Sequence, residues 1–189
     1  MRVAILLAAG SSRRFGRGAK LLALFRGKPL LHHAIDRARA SGAGRVLVVT
    51  GAGRARIGPA ARAAGLRPIF AREHHAGMGA SLQAGLRAVR PIEREILIFL
   101  ADMPFATASP GWRIGAGLEA VRPIYDGVPG HPLLVRTTAA RRLVRPGDQG
   151  FASGLPAGRI ALVNGTAGSI LDIDDRAGLR RARSWTARR

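Results

Sequence analysis

The sequence contains no cysteine. Disulfides, cysteine-bearing zinc sites and a cysteine nucleophile are therefore excluded. Lysine is nearly absent too: of 31 basic residues only Lys20 and Lys28 are lysines, so the rest are arginine. Acids number 11 and aromatics make up 5% of the chain. Without aromatics interleaved among the basic residues, a nucleic-acid-binding module built on base stacking is disfavoured. No apolar run approaches the roughly 18 residues of a membrane span. Residues 3–9 are apolar but run into a Gly/Arg loop, so no signal peptide is expected. The expected address is the cytoplasm.

What remains is 189 residues, 47% hydrophobic and 22% charged. That composition fits a globular protein, and 1–189 is expected to form one domain. A chain of this size buries roughly 70% of its unfolded surface, enough for a core without staples. The net charge is +20. Such a surface attracts nucleotides, phosphates or nucleic acid. Alternatively, arginine fills solvated positions through a compositional bias, and its even spread along the chain favours this second reading. The scarce lysines and acids are then the charged residues that carry information.

Two apolar patterns alternate. Val3–Leu7, Val46–Thr50 and Ile96–Leu100 are short continuous apolar runs, as in strands buried on both faces. Ile96–Leu100 is the strongest and is expected at the sheet centre. Apolar residues at 30, 31, 34, 35 and 38 form a helical stripe, with Pro29 as its first residue and Gly42 as its stop. Further helices are expected over 57–64, 81–89, 112–121, 137–144 and 175–183, and strands over 67–70, 133–135, 160–163 and 170–173. This alternation predicts an α/β fold with a doubly wound, mostly parallel sheet. Ligands bind such sheets at the carboxyl ends of the strands. The loop after Leu7, the turn at Thr50-Gly51 and Ala101-Asp102 all fall there.

The first of these segments runs Leu7-Ala8-Ala9-Gly10-Ser11-Ser12-Arg13-Arg14-Phe15-Gly16-Arg17-Gly18-Ala19-Lys20. Its glycines allow close backbone approach, and successive amides can cradle phosphate oxygens. Ser12 adds a hydroxyl, Arg14 a planar fork and Lys20 a point charge. The spacing is neither a P-loop nor GxGxxG, so by itself the segment reads equally as a surface loop. Asp102 puts a carboxylate on the ligand rim, where it suits Mg²⁺, or it caps the turn before Pro104. If 170–173 is a strand, Asp172 and Asp174 share a face and Asp175 caps the next helix. Asp174 then meets Asp102 over a metal, or the acidic cluster serves the helix alone.

Taken together, these segments resemble the MobA-like NTP transferase family. Leu7-Ala8-Ala9-Gly10, Ser12, Arg14, Gly16 and Lys20 match its LAAGxSxRxG…K signature, with Phe15 where Met is common. Ala101-Asp102-Met103-Pro104 is similar to its second motif and Asp172-Ile173-Asp174 to the start of its terminal one. Gly77-Met78-Gly79-Ala80-Ser81-Leu82 and Gly130-His131-Pro132 resemble the molybdenum cofactor cytidylyltransferase branch. The resemblance implies a nucleotide-diphospho-sugar transferase-like, Rossmann-type fold. It implies Mg²⁺, with Mn²⁺ as an alternative, on Asp102 and Asp174, and catalytic roles for Lys20, Arg14 and Asp102. Leu7, Ala8, Ala9, Gly10, Ser12, Lys20, Gly79 and Ser81 would hold the nucleotide. The implied reaction moves CMP from CTP to a phosphorylated acceptor, molybdopterin, and releases pyrophosphate. A molybdoenzyme or its chaperone is an implied protein partner. Guanylyl transfer to the same cofactor, and cytidylyl transfer to a sugar, polyol or isoprenoid-precursor phosphate, are the alternatives. A basic nucleic-acid-binding protein is the rival of another class.

The chain departs from the family in places. Asp175-Arg176-Ala177-Gly178 stands where Thr-Pro-Glu-Asp is usual, 106–121 is short and Gly-rich, and Gly147-Asp148-Gln149-Gly150 is followed by Phe151-Ala152 in place of Ala-Arg. These changes bear on the acceptor more than on the chemistry. His131 either touches the acceptor or exposes its ring in a turn. Met78 either lines the base pocket or fills core. Ser81 is expected to cap its helix, and His32-His33 and His74-His75 are expected at the surface.

Overall fold

The structure is a computed structural model and describes residues 1–15, 19–145, 147 and 154–185. The chain order is β1 (Arg2–Ala8), β2 (Leu24–Phe25), β3 (Lys28–Pro29), α1 (Leu30–Ala40), β4 (Val46–Thr50), α2 (Arg54–Ala63) and β5 (Ile69–Phe70). Then follow α3 (Met78–Arg87), β6 (Glu95–Leu100), β7 (Ala120–Tyr125), β8 (Val128–Pro129), β9 (Leu133–Arg136), α4 (Thr137–Leu143), β10 (Ile160–Asn164) and α5 (Arg176–Ser184). The main sheet reads β10-β7-β9-β6-β1-β4-β5, with β8 on β7. Pairings β5-β4-β1-β6 are parallel. β9 runs antiparallel to both β6 and β7, so the sheet is mixed. As expected, β6 lies at its centre. No helix among the described residues is long and apolar enough to cross a membrane.

The continuous apolar runs follow from burial on both faces. Successive residues of β1 feed opposite cores. Ala4, Leu6 and Ala8 pack with Leu31, Ile35, Ile57 and Leu179, from α1, α2 and α5. Val3, Ile5 and Leu7 pack with Leu82, Leu86 and Ala140, from α3 and α4. Gly85 lets α3 lie close on the sheet, because a Cβ there would come within 2.9 Å of Ile5 Cγ2.

Four expectations need correcting. No helix forms over 112–121. Those residues turn at Gly117 (φ +72°), and Arg136 from β9 holds the turn through the carbonyls of Leu118 (2.8 Å) and Gly115 (3.1 Å). No strand forms over 170–173. Residues 167–169 make a 3-10 turn instead, and Gly168 lies against Phe105, 2.7 Å from the position of a Cβ. Pro29 flanks α1 rather than starting it, while Gly42 stops it with φ +76°. Ser81 is not a cap: α3 begins at Met78 after Gly77, and Ser81 is buried inside its first turn. The reversal at β9 originates in Asp126-Gly127, both at positive φ, a two-residue hairpin of the I′ kind. Asp175 does cap α5, accepting from the Gly178 amide at 2.6 Å. That bond, ahead of nearby Arg181, holds its carboxyl below the usual range.

Two contacts tie down loops. Glu93, buried just before β6, accepts from Arg45 Nε (2.6 Å), Arg45 Nη2 (2.9 Å) and the Arg90 amide (2.7 Å). The Arg45 bond is the main reason its pKa is lowered. Gly79 donates its amide to the Gly147 carbonyl at 3.1 Å. A Cβ on Gly79 would fall 1.7 Å from the Arg145 carbonyl oxygen.

Glu93→Gln should cost about 1.5–3 kcal/mol at neutral pH, since charge-assisted bonds become neutral ones. A carboxyl with a depressed folded pKa stabilises above its unfolded pKa of about 4.3 and loses that contribution as pH falls through the folded value. The gap from wild type should therefore be full near pH 7 and close at acid pH below the folded value, as read by urea melts across pH. Gly79→Ala must push main chain apart. It should lower stability by about 1–3 kcal/mol, measured as a fall in Tm.

Candidate functional site

β1 has β4 on one side and β6 on the other. The crossovers leave in opposite directions, so the carboxyl ends of β1 and β6 form a topological switch point, where open α/β sheets bind ligands. A cleft of about 580 Å³ opens there. One wall is the end of β1 and the loop after it, Leu7, Ala9, Gly10 and Ser11, with Leu100 at the end of β6 and Asp102 beyond it. The other is His74, His75, Gly77, Met78 and Ser81 at the start of α3. The third rim segment holds the loops together. A Cβ at Gly51 would meet the Ala9 carbonyl oxygen at 2.6 Å and His74 Cβ at 2.8 Å, so only glycine lets these loops close up.

Charge concentrates beside the cleft. Lys20 is 7% exposed, in a 3-10 turn (Lys20–Leu22) whose Leu21 is also buried. Its Nζ lies 2.8 Å from Asp102 Oδ2 and 3.2 Å from Asp174 Oδ1. Arg14, with a side chain 76% exposed, reaches Asp174 Oδ2 at 2.6 Å. A small recess of about 50 Å³ lined by Leu7, Ala8, Gly10, Ser12, Lys20, Leu21, Ala101 and Asp102 joins this centre to the loop. Ser12 holds a positive φ of 52°, a costly conformation for a residue with a Cβ.

Local folding explains the convergence. The Ala101 amide continues the β1–β6 ladder to the Leu7 carbonyl at 3.0 Å and fixes the start of the Asp102 turn. Ile173, fully buried, donates its amide to the Asp102 carbonyl at 2.9 Å. That clasp, and not a strand, carries Asp174 to the site. Asp172 joins the acidic cluster as well. Burial, followed by repulsion from Asp174 and Asp102, raises its pKa above the usual carboxylate value.

The expected site residues thus fall into groups. Lys20, Arg14, Asp102 and Asp174 form one charged centre. Leu7, Ala9, Gly10 and Ser81 line the cleft, while Ala8 and Ser12 line the recess. Gly79 does not line the cleft; its amide is committed to Gly147. Met78 lines the cleft with an exposed side chain and is not core filling. His74 and His75 lie at the surface of the cleft itself, which their sequence context does not signal. Gly16, Asp148, Gln149 and Gly150, with Phe151-Ala152, lie outside the described residues. Two carboxylates whose oxygens already share one cation are hard donors suited to Mg²⁺ or Mn²⁺. No group of three or more metal-binding side chains occurs among the described residues.

His131 precedes β9, two residues before Leu133, which pairs with Ile98 of β6. It therefore sits beside the Asp102 rim. Its ring is not displayed in a turn: Nδ1 is buried with no hydrogen-bond partner. Burial first, and then the Arg122 guanidinium, bring its pKa down to about 4, so the ring is neutral at neutral pH.

The chain is similar to known proteins along most of its length. It is 34% identical over 100 residues to nicotine blue oxidoreductase of Paenarthrobacter nicotinovorans, covering 53% of this chain and 48% of that protein. The match therefore spans about half the length of that relative. Rv0371c of Mycobacterium tuberculosis H37Rv superposes with a TM-score of 0.80 at 26% identity, over 97% of each chain. Its complex with manganese superposes with a TM-score of 0.75 at 25% identity, over 98% of this chain and 99% of that one. Molybdopterin-guanine dinucleotide biosynthesis protein A of Archaeoglobus fulgidus shares the fold, with a TM-score of 0.68 at 20% identity over 97% of each chain. The model of the MobA-like NTP transferase domain matches residues 4–156, and the chain belongs to that family of nucleotidyltransferases.

Proposed function

We propose that this NTP transferase moves CMP from CTP to the terminal phosphate of molybdopterin and releases pyrophosphate, in the cytoplasm. The observation that carries the reading is the buried Lys20 ammonium bracketed by Asp102 and Asp174, beside the cleft on the β1/β6 switch point that Asp102 also lines. An oxygen of the acceptor phosphate forms a bond to the α-phosphorus. The bond from that phosphorus to the β-bridging oxygen breaks, and its electron pair leaves on pyrophosphate. An ionised phosphate nucleophile needs no side chain to remove a proton. The protein's task is to position the reactants and neutralise charge.

In this reading the main chain of Leu7–Gly10 supports the nucleotide, with Ser12 and the first turn of α3 at Ser81 beside it. Lys20 and Arg14 turn from the carboxylates to the phosphates. Asp102 and Asp174 would hold Mg²⁺, with Mn²⁺ as a substitute. The ion neutralises charge on the phosphate oxygens when bound. The manganese complex of Rv0371c supports a divalent ion in this fold. The resemblance of Gly77–Leu82 to the cytidylyl branch supports CTP over GTP. In this reading the segment around His131, which precedes β9 beside the Asp102 rim, borders the acceptor.

Asp102→Ala should abolish turnover and leave the circular dichroism spectrum unchanged. Lys20→Arg should lower kcat markedly, because a planar guanidinium does not replace a compact ammonium. Lys28→Arg, in an exposed ion pair with Asp36, should not. Equal kinetics for the two would remove Lys20 from phosphate binding. CTP should exceed GTP by roughly 10²-fold or more in kcat/KM for transfer to molybdopterin, as two mismatched buried polar groups would require. Equal or better use of GTP would assign the chain to guanylyl transfer.

A further inference from the structure

The two carboxylates of the charged centre are already neutralised from within the chain. Lys20 Nζ touches an oxygen of each, at 2.8 and 3.2 Å, and Arg14 takes the second oxygen of Asp174 at 2.6 Å. Divalent ions bind carboxylate oxygens at about 2.0–2.1 Å for Mg²⁺. An ion shared by Asp102 and Asp174 would have to take an oxygen of Asp174, whose two oxygens are already held by Lys20 and Arg14, and its charge would repel Nζ. Lys20 cannot simply yield, since its ammonium is buried and a buried charge stripped of its partners is strongly disfavoured. It needs another anion within reach. Its backbone is fixed by a 3-10 turn with Leu21 buried, but its four-carbon side chain can swing into the adjoining recess, which opens towards Gly10 and Ser12.

We propose that Lys20 and Arg14 are resident counter-ions that hold a divalent cation off Asp102 and Asp174 until a triphosphate draws both side chains away. Nucleotide and metal then enter as one coupled event, and the protein alone is a poor metal binder. The inference rests on the nucleotidyl-transfer reading only for the identity of the anion. The competition for the carboxylates rests on the distances. Lysine suits the task better than arginine. A single flexible ammonium can exchange partners, whereas a guanidinium fork would clasp the carboxylates in a fixed bidentate pair. Lys20 thus acts on the metal by vacating its place.

The test is Mn²⁺ binding to the full chain without nucleotide, followed by electron paramagnetic resonance and by calorimetry. Lys20→Met keeps the apolar stem and removes the charge. It should bind Mn²⁺ at least about tenfold more tightly than wild type, and adding Asp102→Asn should erase the gain. A CTP analogue with a methylene group between the α- and β-phosphates should raise Mn²⁺ uptake by wild type beyond what the analogue binds in solution, and that increment should shrink in Lys20→Met. Unchanged or weaker Mn²⁺ binding by a folded Lys20→Met overturns the proposal. Should that variant fail to fold, Arg14→Gln decides, because its side chain is mostly exposed. It should gain about two- to threefold, and no gain overturns the proposal. Neither arm requires transfer. A gain in Mn²⁺ binding with no turnover of any triphosphate would sink the functional reading and leave this inference standing. Turnover without the gain would do the reverse.

Discussion

A buried ammonium is the constraint around which the rim is built. Lys20 has almost no access to water, and its charge is tolerable only while acids surround it. Three distant stretches must therefore meet: the turn at residues 20–22, the end of β6, and the stretch between the 167–169 turn and α5. Each is secured by something other than the charge. Leu21 is sunk in the core, Ala101 extends the β1–β6 ladder, and the fully buried Ile173 clasps the Asp102 carbonyl. Apolar anchoring sets the positions, and the ion pairs then report that they are right. This is the division of labour expected when buried charges are costly but specific.

The arginines have a structural explanation as well. Arg37 donates to the Pro104 carbonyl, Arg122 to Gly130, Arg136 to Leu118 and Arg141 to Val89. Arg39 reaches the Ala64 carbonyl just beyond α2. Arg2, Arg45 and Arg142 take Glu95, Glu93 and Glu119. Loops and helix ends leave carbonyls without partners, and a rigid fork with several donors satisfies them better than an ammonium. Much of the +20 charge is thus accounted for by main-chain satisfaction, consistent with arginines spread along the chain. The lone buried lysine stands apart from that use.

Legibility in the sequence tracked burial. β1, β4 and β6 were plain because strands covered on both faces must be apolar throughout. The false helix at 112–121 and the false strand at 170–173 failed for one reason. Both segments are organised by partners far away in sequence, Arg136 for the first and Asp102 and Phe105 for the second. The antiparallel β9 did have a local sign, Asp126-Gly127 between apolar residues, which is a hairpin signal. At the site, Lys20, Asp102 and Asp174 could be picked out because lysines and acids are scarce. The path bringing Asp174 there could not be. His74 and His75 carry no spacing that marks a cleft, and Asp172 is drawn in only through its buried neighbour Ile173. Gly79 packs against the main chain of Arg145 and Gly147, and in sequence a glycine that admits a ligand looks the same as one that admits a neighbouring loop.

The reversal of β9 has a wider consequence. Parallel strands β1 and β4 present their departing loops at the rim, each leading to a helix that packs on the sheet, and β6 departs there into the Asp102 turn. β9 points the other way, so at the same rim the chain arrives through the 126–132 hairpin and then enters the strand. One side of the cleft is therefore framed by crossover units whose loops cannot change without disturbing a helix. The other is framed by a short ribbon, joined to the sheet through β7 and β9. Insertions or replacements in that ribbon leave every βα unit intact. The mixed sheet gives the fold a fixed wall and an exchangeable one, so a lineage of such proteins could alter what meets the His131 side while the Lys20 side stays unchanged.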